Sequence, residues 1–111
     1  MEMSYLTAPG IPKPSTSESI LKVCCDFYNQ PLEEVRKKSR KREYVEVRQA
    51  AIALSKAYTK ETLGDIAATM GDFDHSTCVH SIKTINNLLT TDKQFRIKFA
   101  KLESRIKLTT Y

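Results

Sequence analysis

The fold is decided by residues 62–89, TLGDIAATMGDFDHSTCVHSIKTINNLL, which predict a short helix, a turn at Gly71 and a longer second helix. Apolar side chains recur at three- and four-residue spacing on both sides of the turn. They are Leu63, Ile66, Ala67 and Met70 before it, and Cys78, Val79, Ile82, Ile85 and Leu89 after it. This pattern is typical of a helix-turn-helix.

Four polar residues stand at the start of the second helix: Asp74, His75, Ser76 and Thr77. In helix-turn-helix proteins this part of the second helix carries the side chains that reach base edges in the DNA major groove. We therefore interpret these four residues as candidates for reading bases.

Length and composition restrict what this unit can belong to. The chain has 111 residues, of which 41% are hydrophobic and 28% charged, as expected for one helix-rich globular domain without a separate catalytic domain. Alternating strand patterns are absent, so we predict an all-α cluster of five to six helices. The sequence has neither an apolar run of roughly 18 residues nor a signal pattern, which predicts a cytoplasmic protein without a membrane partner.

Local signals place the remaining helices. Residues 1–14 contain three of the four prolines and predict a flexible arm, followed by a helical domain at residues 15–111. The capping-box pattern at residues 15–18 opens a first helix that ends at about Tyr28, and the next residues form at most a short turn of helix. Two further helices are predicted, one at residues 42–58 and one from a second capping box at residues 91–94 to about residue 108.

Neither metal binding nor catalysis is predicted. His75, Cys78 and His80 do not share one helical face, and Asp74 and His75 are adjacent on a helix and therefore point in different directions. We predict no cofactor and no enzymatic activity. His80 is expected to be partly buried, and Cys24, Cys25 and Cys78 are expected to be reduced thiols in the core.

A basic run, RKKSRKR, occupies residues 36–42 and places six cations in seven residues, in a chain of net charge +5. A solvated helix face would normally have acidic residues among its cations, but no acidic residue occurs in this run before Glu43. Binding to nucleic-acid phosphates explains the run best; an inert basic loop and a nuclear-localisation run are the alternatives. The helix that follows is expected to expose Arg48, Gln49 and Lys56 on the side opposite its apolar positions.

Several elements in order resemble the C-terminal DNA-binding domain of the bacterial replication initiator DnaA. They are the Arg48–Gln49 pair before AAIALSK, the segment TLGDIAATMG and the signature DHSTCVHS, and the resemblance spans about residues 17–106. It implies a Trp-repressor-like helical fold that binds a short double-stranded DNA box. It also implies residue roles: Arg40 in the minor groove, Arg42, Arg48 and Lys56 near phosphates with Gln49 close by, and Asp74, His75, Ser76 and Thr77 in the major groove.

The chain also departs from that family. The family usually has Gly-Gly-Arg where this chain has Gly71, Asp72 and Phe73, so the preferred DNA box is expected to differ. The chain contains no GxxxxGK[ST] phosphate loop, and a protein partner that supplies an ATPase is therefore possible. It is either a fragment of an initiator or a stand-alone relative, and Met1 with the arm that follows favours the second.

The sequence as a whole predicts sequence-specific binding to double-stranded DNA, in replication initiation or its regulation, by a protein associated with the nucleoid. Transcriptional control and maintenance of a mobile element are alternative processes. The rival from another class is a protein–protein interaction module, docking through its last helix or its N-terminal arm, with only non-specific nucleic-acid affinity.

Overall fold

Six α-helices make up the part of the chain that the structure, a computed structural model, describes: residues 16–71 and 73–109. Those residues contain no β-strand, and the predicted all-α fold is confirmed. The predicted arm at residues 1–14 and Asp72 lie outside them. None of the described helices is both long and apolar enough to cross a membrane. The helices are α1 (Ser17–Tyr28), α2 (Leu32–Val35), α3 (Arg42–Tyr58), α4 (Leu63–Gly71), α5 (His75–Thr91) and α6 (Lys93–Thr109).

Helix α3 is the centre of the domain, because α1, α2, α4 and α5 all pack against it. Its bounds are those predicted from the apolar pattern. Burial of apolar surface stabilises the fold by about 25 cal/mol per Å², and the alanines of α3 allow its neighbours to come close. The buried apolar side chains of α3 are Val47, Ala50, Ala51, Ile52 and Leu54.

The N-terminus of α1 is capped one residue later than predicted. Thr16 is the N-cap residue, and its side chain and that of Ser19 form a reciprocal capping box. The predicted box at residues 15–18 is therefore wrong in register. The next residue, Ser17, is buried, and it donates its backbone N–H (2.7 Å) and its hydroxyl (2.6 Å) to the carboxylate of Glu61. This contact with the α3–α4 loop holds Ser17 at the first helical position.

A single residue, Asp92, separates α5 from α6. Its carboxylate accepts a hydrogen bond from the backbone N–H of Phe95 at 3.0 Å, so Asp92 caps α6. The capping box predicted at residues 91–94 is wrong, because Thr91 still belongs to α5 and donates its hydroxyl to the Asn87 carbonyl at 2.7 Å. The predicted apolar side of α6 is confirmed by four buried side chains: Phe95, Phe99, Leu102 and Ile106.

All three cysteines are free and buried, as predicted. Desolvation by burial raises the pKa of Cys25 to about 11 and raises the pKa values of Cys24 and Cys78 as well. The thiols are therefore protonated at neutral pH and act as small apolar side chains of the core.

Candidate nucleic-acid interface

The helix-turn-helix consists of α4, α5 and the turn between them. Gly71 has φ +129°, and a Cβ built there would lie 2.0 Å from the carbonyl oxygen of Arg36. Only glycine fits this combination of a positive φ and a close backbone approach. The thiol of Cys78 also lies 3.7 Å from the carbonyl oxygen of Leu63, which connects α5 to the start of α4. The predicted turn at Gly71 is confirmed.

Polar side chains at the start of α5 face solvent. Asp74 is the N-cap residue, yet its carboxylate makes no capping hydrogen bond, and the side chains of Asp74, His75 and Ser76 are exposed. Thr77 is half-buried. An Asp at an N-cap ordinarily accepts from the backbone of the first turn, so here the carboxylate is left available to an external donor.

His80 is exposed, and the expectation that it would be partly buried was wrong. It lies two residues after the buried Cys78. Two residues correspond to about 200° around a helix, which turns the imidazole away from the core.

The basic run forms the connection between α2 and α3 and the first residue of α3. We call residues 36–41 the basic loop. Arg40 and Arg42 are both exposed. Among the described residues the run makes one ion pair, between Lys37 and Glu34 at 2.9 Å, and this carboxylate raises the pKa of Lys37. Most of the positive charge of the run is therefore not neutralised within the described part of the protein.

Arg48 does not stand on an exposed face, as the sequence led us to expect. Its side chain is buried, with 6% of the residue accessible. The guanidinium donates three hydrogen bonds to backbone carbonyl oxygens, those of Val35 (2.8 Å), Lys37 (2.6 Å) and Ser39 (2.8 Å). Burial lowers the pKa of Arg48, but an arginine stays protonated at neutral pH. The charged guanidinium of Arg48 therefore fixes the basic loop through these hydrogen bonds.

The same guanidinium also contacts the turn of the helix-turn-helix. Its central carbon lies 4.6 Å from the ring centroid of Phe73, which immediately precedes Asp74. Ser39, one of the residues that Arg48 holds, immediately precedes Arg40. Arg48 thus brings together the two candidate DNA-contacting elements. The sequence marked Phe73 as unusual but contained no signal for this contact.

Three polar residues of α3 share one stripe along the helix. Arg42, Gln49 and Lys56 are spaced by seven residues, so each lies within about 20° of the next around the helix axis. Arg42 and Lys56 are exposed and Gln49 is half-buried. At 1.5 Å per residue the stripe is about 21 Å long. Of the predicted α3 residues, only Arg48 lies away from the others.

The cations of α6 are partly engaged within the protein. Lys98 pairs with Glu46 at 2.7 Å, and the Nε of Arg96 donates to the Leu89 carbonyl at 2.8 Å. The cleft between α3 and the α5–α6 corner is lined by two acidic residues, Glu46 and Asp92, and by two basic ones, Arg42 and Lys98. In the described residues no group of three or more His, Cys, Asp or Glu side chains could hold a metal ion.

Comparison with known proteins assigns the family. The family model described as the bacterial dnaA protein helix-turn-helix matches residues 17–85, which include the basic loop, α3, α4 and the first part of α5. The chain belongs to the bacterial DnaA helix-turn-helix family. The DnaA family model does not extend to α6.

Curated relatives in the DnaA family carry the name chromosomal replication initiator protein DnaA. The chain is 47% identical to the protein from Flavobacterium psychrophilum over 77 residues, covering 69% of this chain and 16% of the relative. It is 38% identical to the protein from Bacteroides thetaiotaomicron over 95 residues, covering 86% and 20%. The protein from Nautilia profundicola is also 38% identical, over 84% of this chain and 21% of the relative. The chain therefore spans about a fifth of the length of these relatives.

Proposed function

We propose that this DnaA-family chain is a non-enzymatic domain that binds double-stranded DNA sequence-specifically, in replication initiation or its regulation. The start of α5 would enter the major groove, and Arg40 of the basic loop would enter the adjacent minor groove. The observation that carries the proposal is that one buried arginine, Arg48, bonds the largely unpaired basic loop and also contacts Phe73, which immediately precedes the exposed polar start of α5.

The chemistry at the start of α5 suits base edges. The Asp74 carboxylate can accept a hydrogen bond from cytosine N4, and the His75 imidazole can donate to a purine acceptor. Ser76 and Thr77 add hydroxyl groups, and the Thr77 methyl can pack against a thymine methyl. The free N–H groups of the first turn of α5 would attract a phosphate.

The basic elements suit the DNA backbone and the minor groove. A narrow minor groove has an enhanced negative potential that favours an inserted arginine, the role proposed for Arg40. Arg42 and Lys56 would lie near phosphates at the two ends of the α3 stripe, with Gln49 between them. Because Arg48 is buried, its proposed contribution to phosphate binding is through the loop that it holds.

The relatives' name supports replication initiation as the process, and the bacterial nucleoid is then the proposed location. The family match covers the helix-turn-helix region, and the partner proposed beside DNA is a protein that supplies an ATPase.

Fluorescence anisotropy with duplex DNA at several salt concentrations tests the proposal. About five phosphate contacts should give a log–log salt slope of about −4 to −5. Arg40→Ala should weaken binding and reduce the slope, whereas Lys22→Ala should not. Lys22 is an exposed cation on α1, paired with Glu18 at 3.6 Å and outside the proposed interface. Absence of binding at low salt would contradict the proposal and favour the protein-interaction alternative.

Base reading is tested with His75→Ala on a DNA box selected from a random duplex library. If His75 reads a base, the substitution should cost about 1–3 kcal/mol and relax discrimination at particular positions of the box. An equal loss of affinity on every sequence would show that His75 reads no base.

A further inference from the structure

Arg48 fastens the basic loop from inside the protein. Residues 36–41 lie outside helices α2 and α3, and three carbonyl oxygens at alternate residues, Val35 to Ser39, accept hydrogen bonds from the guanidinium at 2.6–2.8 Å. Charge-assisted bonds of this kind are roughly twice as strong as neutral ones. A loop held at three points presents its exposed cations in one arrangement, not in many.

Phe73 completes this arrangement from the side of the turn. Its ring lies under the Arg48 guanidinium at 4.6 Å and under the Lys38 ammonium at 6.0 Å. Its backbone N–H donates to the Ala67 carbonyl at 3.1 Å, so the ring is carried on the C-terminal part of α4. The ring is also half-buried against the core. Phe73 is therefore fixed on the helix-turn-helix while its face contacts two basic residues.

A third contact joins the same two elements. The backbone of Arg36, the first residue of the basic loop, lies so close to Gly71 that no side chain fits between them. Within the loop, Arg36 thus contacts Gly71 and Lys38 contacts Phe73. The Arg48 guanidinium, which bonds the loop from α3, contacts Phe73 as well. The position of the loop depends on the position of the turn.

We propose that Arg48 and Phe73 form a bridge that holds the basic loop in fixed register with the start of α5, and that Phe73 is a positioning residue for DNA recognition. The inference rests on the proposed function. A rigid bridge keeps the basic loop and the start of α5 at one fixed separation. The protein therefore discriminates between DNA boxes by the spacing between the part bound in the minor groove and the part bound in the major groove. A loop released from the bridge keeps its charge and its non-specific attraction but tolerates other spacings.

The test compares four variants with the wild-type chain. Phe73→Leu removes the aromatic face, Phe73→Tyr keeps it, and Arg48→Lys keeps the charge but loses the planar fork that bonds several carbonyls. The matched control is Phe27→Leu on α1. Phe27 is also half-buried and its ring also faces a guanidinium, that of Arg105 at 5.4 Å, but neither residue belongs to the basic loop or to the helix-turn-helix. Circular dichroism establishes that each variant is folded.

The first measurement is made without DNA, by ¹⁵N relaxation of the loop amides. Phe73→Leu and Arg48→Lys should make residues 37–41 more mobile on the picosecond-to-nanosecond timescale, whereas Phe73→Tyr and Phe27→Leu should leave their order parameters unchanged. If the loop of folded Phe73→Leu is as ordered as that of the wild type, the bridge is overturned, whatever the protein binds.

The second measurement uses the selected DNA box and a copy with one base pair inserted between the segments that meet the loop and α5. The insertion shifts one segment by roughly 3.4 Å along the axis and roughly 35° around it. It should lower wild-type affinity about tenfold or more, the scale of a mismatched pair. In Phe73→Leu the penalty should fall to about threefold, with rescue by Phe73→Tyr. An unchanged penalty in Phe73→Leu overturns the inference, whereas failure of the wild type to bind any duplex would overturn the proposed function instead.

Discussion

At Gly71 the backbone of the helix-turn-helix closely approaches the backbone of the basic loop. Gly71 combines a positive φ with a backbone contact to the basic loop, and its position could be predicted from the sequence because glycine in a polar break between two apolar periodicities marks a turn. What it faces could not, since Arg36 lies 35 residues earlier in the chain.

Substitution of Gly71 should therefore be costly. Gly71→Ala places a Cβ in a strained conformation and against the Arg36 carbonyl, and we expect it to lower the free energy of unfolding by about 2 kcal/mol or more. Urea denaturation measures this change.

The control is Gly64, a helical glycine of α4 whose added Cβ would meet nothing closer than 3.7 Å. Gly64→Ala should be neutral or stabilise by up to about 1 kcal/mol, because alanine has the higher helix propensity. Equal effects at the two glycines would contradict this account of the turn.

At the scale of the elements, α6 is the helix whose place in the cooperative folding unit needs a test. It lies beyond residues 17–85, which the family model matches, yet it packs on α5 and α1. Its apolar face was predictable from the spacing of Phe95, Phe99, Leu102 and Ile106. Its N-cap residue was not predictable, because Thr91 and Asp92 are adjacent and either could cap α6. Since α5 extends through Thr91, Asp92 is the cap.

If α6 belongs to the same cooperative unit, truncation of its buried side should destabilise the whole domain. We expect Leu102→Ala to cost about 2–5 kcal/mol, since Leu102 is 0% exposed, and to leave a single unfolding transition.

Leu108→Ala is the matched control on the same helix, because Leu108 is 82% exposed. It should change stability by no more than about 0.5 kcal/mol. A separate early transition in Leu102→Ala would show that α6 unfolds independently of α1–α5.

At the scale of the whole molecule, buried thiols and phenols make the free energy of unfolding depend on pH in the alkaline range. Burial raises the pKa of Cys25 to about 11, and it raises the pKa values of Cys24, Cys78 and Tyr28 in the same direction. Desolvation and the hydrogen bond to Glu103 raise the pKa of Tyr58 to about 12.

The sign of the effect follows from proton binding. Above the ordinary pKa of these groups, about 9 for the thiols and 10 for the phenols, the unfolded chain binds fewer protons than the folded one. The contribution of these groups to the free energy of unfolding should therefore be constant below about pH 8 and fall as pH rises from about 9 to 11.

Urea denaturation in the presence of a reductant at pH 8, 9.5 and 11 measures the dependence. Cys25→Ala should show a shallower fall, because one of the raised groups is removed. Stability that stays level to pH 11 would contradict burial of the thiols in protonated form.

The sequence by itself determined the helices, their apolar faces, the helix-turn-helix and the exposed polar start of α5. These features depend on periodicity and turn chemistry within about twenty residues, which local sequence reports directly. The tertiary structure alone decided that Arg48 is buried, that Phe73 lies beneath it, and that Glu61 bonds Ser17 at the first helical position of α1. A charged side chain enters a core only where carbonyl groups from another segment satisfy it, and residues distant along the chain supply those groups only once the fold has formed.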